Sequence, residues 1–261
     1  MFKNENIIYQ DNGDIKYIQF KKLLKYGVKH AYTLKGEKID FSRGSEFANS
    51  SYSKLANALE IDEKILVKPV QTHTSVVKCI DEVMPSEQLQ DVDGIITNKK
   101  NIAITTKNAD CILFLFYDPV KKVIANVHSG WKGTFQKIAE KTVVKMINAY
   151  KCNPKDIICC ICPSIRLCHF EVDEDVKELC ENIFSFTNRL EDFIKVGTVK
   201  DGKQKYMIDT VLINKILLEE CGLKTNNILD CNLCSVCNSD IIHSARVEGN
   251  AFKRATAVIM L

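Results

Sequence analysis

Three residues of this chain carry side chains that could together hold a metal ion: His73, Cys111 and His128. Each sits where an apolar, strand-like segment ends, in the strings Val70-Gln71-Thr72-His73, Ala109-Asp110-Cys111 and Val127-His128-Ser129-Gly130-Trp131. Neutral imidazole and thiolate are good zinc ligands, and three protein ligands leave one coordination position open. An open position marks a catalytic metal, because it can take a water whose pKa falls to about 7 or polarise a substrate oxygen. After His128, the string Ser129-Gly130-Trp131-Lys132-Gly133 leads into a helix. A strand-end ligand, a glycine-flanked turn and a helix N-terminus suit an anion, and Lys132 adds a positive charge. Spacing alone leaves the trio open. A lone histidine at a strand end is usually just hydrogen-bonded, and a cysteine opening an apolar strand is usually packing.

The elements that must position these residues read as mixed α/β. Residues 6–10 and 15–20 flank Asp11-Asn12-Gly13 and predict a hairpin. Residues 64–77 read as strand material broken near Pro69. Residues 94–97, 102–106, 111–117, 123–128, 157–162 and 256–261 read as strands, the run from Cys111 to Tyr117 being apolar enough for burial on both faces. Apolar spacing predicts helices over 50–60, 134–150, 174–184 and 210–221. Thr134 is the expected N-cap of the second of these; Asp209 and Gly222 are the expected cap and stop of the last. Residues 193–207 resemble a hairpin about Asp201-Gly202. Irregular alternation argues against a regular parallel barrel, and no linker divides residues 1–261, so a single domain is expected.

Composition narrows the function classes. Of 261 residues, 46% are hydrophobic and 26% charged, as in an ordinary globular protein. A net charge of +3, from 36 basic and 33 acidic residues, gives no reason to expect nucleic acid or an anionic membrane as partner. No apolar run approaches the ~20 residues of a membrane span. The opening Met1-Phe2-Lys3-Asn4-Glu5-Asn6 lacks the apolar region of a signal peptide. Twelve cysteines are therefore expected in a reducing cytoplasm, as free thiols or metal ligands, most of them as small buried hydrophobes.

Three motifs in order, Gln71-Thr72-His73, Ala109-Asp110-Cys111 and His128-Ser129-Gly130-Trp131-Lys132-Gly133, resemble the Q-x-H, A-D-C and H-A-G-W-R-G motifs of the YfiH/YlmD family. That family is described both as polyphenol oxidase or laccase-domain proteins and as purine nucleoside enzymes. The resemblance covers most of the chain, including Asp93-Gly94-Ile95-Ile96-Thr97, a cysteine-containing segment before the last strand, and Ser244-Ala245-Arg246 with Arg254. It implies an α/β/β/α sandwich of mixed sheets and zinc held by His73, Cys111 and His128. The implied activities are phosphorolysis of adenosine, inosine, guanosine and methylthioadenosine, and deamination of adenosine. Copper goes with the older oxidase label and is the less expected metal. The chain departs from the pattern at Ser129 for Ala, at Lys132 for Arg and at Ile161-Cys162-Pro163 for Ile-Gly-Pro. An Asn-Arg pair is not evident near Ser51-Tyr52, and the terminal S-Y-R-R is partly kept around Arg246.

Roles follow as expectations. In deamination, water activated by zinc attacks C6 of adenine and a carboxylate shuttles the proton; Asp110 is the first candidate and Asp93 the second. In phosphorolysis, Lys132, Arg246 and Lys253 or Arg254 are candidates to bind phosphate, and Gln71 to orient substrate or His73. The expected partners are purine nucleosides and phosphate, with the oligomeric state open. A rival reading is a metal-independent Cys-His hydrolase with Cys111 as nucleophile and His128 as base; a bacterial toxin domain of the deamidase kind shares the fold group. A multicopper oxidase is poorly supported, since the chain has five histidines and no H-x-H pair. A blue-copper centre would want a methionine just after Cys111, which is absent. His169-Phe170-Glu171 with Cys231, Cys234 and Cys237 faintly echoes the cytidine-deaminase signature, but Asp230 stands where proline is expected. Those cysteines miss the ferredoxin run, since Ile241 holds the fourth position. A second structural zinc using His243 is a further possibility, with unpaired thiols the default. Packing is the default for Cys159, Cys160, Cys162 and Cys168.

Overall fold

In the computed structural model, residues 4–261 are described; Met1 to Lys3, part of the opening stretch read above for a signal peptide, lie outside them. The strands are β1 (Ile7–Asp11), β2 (Lys16–Phe20), β3 (Lys29–Thr33), β4 (Leu66–Val67) and β5 (Val77–Cys79). They continue with β6 (Gly94–Thr97), β7 (Ala103–Asn108), β8 (Ile112–Asp118), β9 (Val123–Ser129) and β10 (Ile158–Ile161). The last are β11 (Glu171–Val172), β12 (Ile194–Lys200), β13 (Lys203–Ile208), β14 (Ile228–Asp230) and β15 (Ala255–Met260). The helices are α1 (Lys21–Lys25), α2 (Ala48–Ala58), α3 (Trp131–Phe135), α4 (Ile138–Tyr150), α5 (Glu174–Phe184), α6 (Leu190–Phe193), α7 (Thr210–Glu220) and α8 (Ala245–Glu248).

Two six-stranded sheets form the body, in the orders β1-β2-β3-β15-β7-β4 and β14-β10-β8-β9-β6-β5. Both are mixed: most pairs are antiparallel, while β4–β7, β5–β6 and β10–β14 are parallel. Period-two alternation sets the layers. Along β8, Leu113, Leu115 and Tyr117 join Ile18, Tyr32, Ile104 and Ile259 of the first sheet in the central core. Phe114 and Phe116 face the other way, against Val143 and Met146 of α4 and Val211 and Leu218 of α7. Leu55 and Ala56 of α2 cover the outer face of the first sheet with Ile15, Ala31 and Val258. The result is the expected α/β/β/α sandwich. A small sheet, β11-β13-β12, flanks it, with its own cluster of Phe184, Phe193 and Ile208. Among the described residues, no helix is long and apolar enough to cross a membrane.

Two local expectations need adjusting. The helix expected over 134–150 is two helices, broken where Lys137 takes a left-handed conformation at φ 59°. Thr134 therefore lies inside α3 instead of capping, and its hydroxyl meets Ser129 Oγ at 2.9 Å and accepts from Asn214 Nδ2 at 3.0 Å. The strand material over 64–77 is only β4 followed by a loop, which carries His73. By contrast, Asp209 caps α7, its carboxylate accepting from Leu212 N at 2.9 Å, and Gly222 follows the helix at φ +92°.

One polar residue ties the sheets together across the core. Asn126 of β9, fully buried, donates to the carbonyls of Ile104 and Ala257 on the opposite sheet, each at 2.9 Å, and accepts from the Thr106 hydroxyl. Leucine there would fill the space but remove all three hydrogen bonds from a dry interior. Asn126→Leu is expected to lower the unfolding free energy by at least about 2 kcal/mol, read from the urea midpoint at constant slope. A wild-type midpoint would remove Asn126 from the account of sheet pairing.

Candidate metal centre and its cavity

His128 lies near the end of β9, Cys111 immediately before β8, and His73 in the loop after β4. Antiparallel pairing of β8 with β9 sets Ile112 opposite Ser129 and so brings Cys111 to His128. The Asn108 amide donates to the carbonyls of Cys111 and Pro163 and fixes the turn before β8. The ligand-capable atoms of His73, Cys111 and His128 lie within 4.8 Å of one another. Cys111 Sγ stands 3.7 Å from His73 Nε2, against the about 3.6 Å that sulfur and nitrogen ligands of one tetrahedral zinc would keep. The donor set, two imidazoles and a thiol, therefore fits a zinc-type ion with one position free.

Asp93 organises this trio. It is fully buried, and its Oδ1 accepts from His128 Nδ1 at 2.7 Å and from His73 N at 3.2 Å. Its Oδ2 accepts from Thr74 N at 2.8 Å, Thr74 Oγ1 at 2.7 Å and Thr72 N at 3.3 Å. The carboxylate thus turns His128 Nε2 toward Cys111 and folds residues 72–74 around itself. His73 is held at φ 65°, a conformation rare for a residue with a side chain. Burial opposes charge on both His128 and Cys111, yet each stabilises the other, with Asp93 also favouring the His128 imidazolium and His73 also favouring the Cys111 thiolate. The imidazole is held well above its ordinary pKa and the thiol well below.

A cavity of about 600 Å3 opens over the trio. Its far end is lined by Arg43, Lys107 and Arg254, and its wall by Asp110 and Arg246. Burial, with Arg254, Arg43 and Lys68 close by, pushes the Lys107 ammonium down to about 8. Asp110 sits in a turn at φ 80°, accepting from Ser235 Oγ at 2.6 Å and Arg246 N at 2.8 Å. The Arg246 guanidinium donates to the carbonyls of His169 and Glu171 at 3.3 and 3.2 Å.

Several assigned roles change. Asp93 is enclosed and does not line the cavity; it is placed to orient His128 and the His73 loop, whereas Asp110 lines the cavity. Gln71 lines the cavity, but its amide is spent on Lys107, donating to the carbonyl and accepting from N, both at 2.8 Å. It therefore fixes Lys107 rather than His73. Lys132 lies outside the cavity lining, with its ammonium 5.6 Å from the Trp131 ring centre, and Lys253 lies against Phe47. Arg254 and Arg246 do line it. Arg43 and Lys107 were missed; the available signal was a lysine closing an apolar strand just before Ala109-Asp110-Cys111. Cys159, Cys160 and Cys162 are buried packing residues, as expected.

Two substitutions test this construction. Asp93→Asn keeps shape but loses charge and is expected to weaken metal affinity about 10- to 100-fold in chelator competition. A Cβ on Gly130 would stand 2.6 Å from His73 Cδ2 and 3.2 Å from Cys111 Sγ, so Gly130→Ala should weaken metal binding without changing the circular dichroism. Wild-type affinity in either variant contradicts the geometry described.

The comparisons with known proteins agree with this fold. The chain is 32% identical over 212 residues to the mouse purine nucleoside phosphorylase LACC1, a match spanning 80% of this chain and about half (46%) of that protein. It is 29% identical to a purine nucleoside phosphorylase of Bacteroides thetaiotaomicron, over 77% of this chain and 75% of that one. In structure it is similar to the hypothetical protein YfiH of Bacillus licheniformis, with a TM-score of 0.86 at 23% identity over 97% of this chain and 98% of that one. The family model for multi-copper polyphenol oxidoreductase laccase matches residues 45–261, which include every residue of the metal centre, and the chain belongs to that family.

Proposed function

We propose that this protein is a zinc-dependent purine nucleoside phosphorylase acting on adenosine, inosine, guanosine and methylthioadenosine, with adenosine deaminase activity. One observation carries the reading: a single cavity joins a three-ligand His-Cys-His set to a cluster of three cations, Arg43, Lys107 and Arg254. Phosphorolysis needs a bound phosphate beside a nucleoside, and the names of the mouse and Bacteroides relatives support the same chemistry. The cavity volume of about 600 Å3 falls in the range of small-molecule sites.

His73, Cys111 and His128 would hold zinc, which supplies a Lewis acid beside one oxygen of the reactants. Arg43, Lys107 and Arg254 bind the phosphate and orient one oxygen toward the anomeric carbon. As that carbon–oxygen bond forms, the bond to the purine nitrogen breaks, leaving ribose 1-phosphate, and the base takes a proton. Asp110, oriented by Ser235 and the Arg246 N–H, moves protons at the purine in both activities. Twelve unbridged cysteines support a reducing, cytoplasmic setting.

A metal-independent Cys-His hydrolase has one observation in its favour, the Asp93–His128–Cys111 order of a catalytic triad. The third donor, His73 Nε2 at 3.7 Å from the sulfur, favours metal. Adenosine and inorganic phosphate incubated with metal-analysed protein should give adenine and ribose 1-phosphate, and inosine where deamination runs. Neither product would sink the proposal. Full activity after thorough chelation, abolished when Cys111 is covalently trapped, would select the hydrolase.

The cation cluster gives a pH prediction. Below about 8 Lys107 is protonated and attracts phosphate; above it that charge is lost. Accordingly kcat/KM for phosphate should fall as pH rises through about 8, and Lys107→Met should flatten that limb. Loss of a charge-assisted contact in this variant should raise the phosphate KM about 10- to 100-fold. A limb unchanged in Lys107→Met would remove that residue from phosphate binding.

A further inference from the structure

The C-x2-C-x2-C stretch does not act as one unit. Cys231 is buried, with its sulfur 3.7 Å from the Arg166 guanidinium, and His243 pairs with Glu248 at 3.4 Å. Neither residue joins a ligand set among the described residues, so the possibility of a second site using His243 is not met, and the default of unpaired thiols holds for Cys231 alone. Cys234 and Cys237 turn instead toward Cys168 and His169, contributed by the loop between β10 and β11. Cys168, expected to be packing, is exposed and part of this group.

The four donor atoms lie within 4.8 Å of one another. Cys168 Sγ is 3.6 Å from Cys234 Sγ and 3.8 Å from Cys237 Sγ. His169 Nδ1 is 3.2, 3.6 and 3.5 Å from the sulfurs of Cys168, Cys234 and Cys237. Around one tetrahedral zinc, sulfurs would stand about 3.8 Å apart and sulfur and nitrogen about 3.6 Å apart. Four of the five pairs lie close to these separations, and His169 Nδ1 stands about 0.4 Å nearer Cys168 Sγ.

We propose that Cys168, His169, Cys234 and Cys237 form a second, structural metal site that takes one zinc-type divalent ion. Four protein ligands close the coordination sphere, whereas the His73 centre keeps a position open. This closure separates it from a deaminase-type His-Cys-Cys site, in which water would occupy the place of Cys168. Glu171, which such a mechanism would need as proton carrier, pairs with Lys200 at 2.6 Å. The donors are also too close for a multi-iron cluster, whose cysteines attach to different irons. Binding would release the thiol protons and leave three thiolates and one imidazole on the ion.

The position gives the site a task. It clips the 163–170 loop to the segment after β14, where Ser235 N donates to the Ser164 carbonyl. Those two segments hold the cavity wall: Ser235 orients Asp110, and the His169 carbonyl receives Arg246. Metal at this site would therefore stiffen Asp110 and Arg246 without touching substrate.

Metal counting on the full chain tests the proposal, independently of any nucleoside activity. After reduction, zinc loading and desalting, the wild type should retain two equivalents and Cys111→Ala one. Cobalt-loaded Cys111→Ala should show the strong sulfur-to-cobalt charge-transfer absorption of three thiolates, and this should collapse in Cys111→Ala with Cys168→Ser and Cys237→Ser added. A wild-type chain that holds a single equivalent, still retained when Cys168 and Cys237 are both replaced by serine, overturns the site. So does a folded Cys111→Ala chain that binds no metal with all its thiols free, or that returns to a Cys168–Cys234 or Cys234–Cys237 disulfide instead of taking zinc.

Discussion

The buried carboxylate of Asp93 is the interaction on which the candidate centre depends. A fully buried anion is costly unless its oxygens are satisfied, and here five donors converge on it. That requirement shapes the loop from Thr72 to Thr74, which has no regular structure of its own. The same carboxylate sets the tautomer and direction of His128, so two of the three ligands share one support. Cys111 is placed separately, by the β8–β9 pairing and the Asn108 amide.

The sandwich accounts for the rest of the arrangement. β7, β8 and β9 belong to two sheets packed face to face, and the chain passes from one sheet to the other through Ala109-Asp110-Cys111. A crossing at that point brings Lys107 of the first sheet and His128 of the second to the same cavity. The cations and the ligands come from different layers, so cavity geometry depends on how the layers stack, which Asn126 helps to fix.

Much of this could be read in the sequence, and the failures have physical causes. The apolar run from Ile112 to Tyr117 announces a strand buried on both faces, and the helix cap at Asp209 follows from local chemistry. The ligand trio was readable because each residue sits in a distinctive string. Asp93 and Gln71 were given substrate roles because residue type shows that a group can titrate or hydrogen-bond, but burial decides what it meets. Lys132 follows a ligand by four positions yet points along α3 to solvent. Arg43 and Lys107 come from distant segments that only the fold brings together. The Cys168 cluster was hidden for the same reason: its halves are separated by the small third sheet and α7, and no contiguous motif contains them.

The cation cluster bears on whether the family's oxidase label describes this cavity. Arg43, Lys107 and Arg254 line one end, and none of them has an ion-pair partner among the described residues. Lys107 is depressed to about 8 by burial and by its cationic neighbours, so the three cations disfavour one another's charge. Such crowding is unfavourable to folding and is relieved only when an anion enters. A neutral phenol would leave the repulsion in place, and electron transfer from it would need no such group. Phosphate relieves it with several charge-assisted contacts, in the same cavity that faces the open side of the His-Cys-His set. The lining is therefore better matched to an anion than to a neutral phenol.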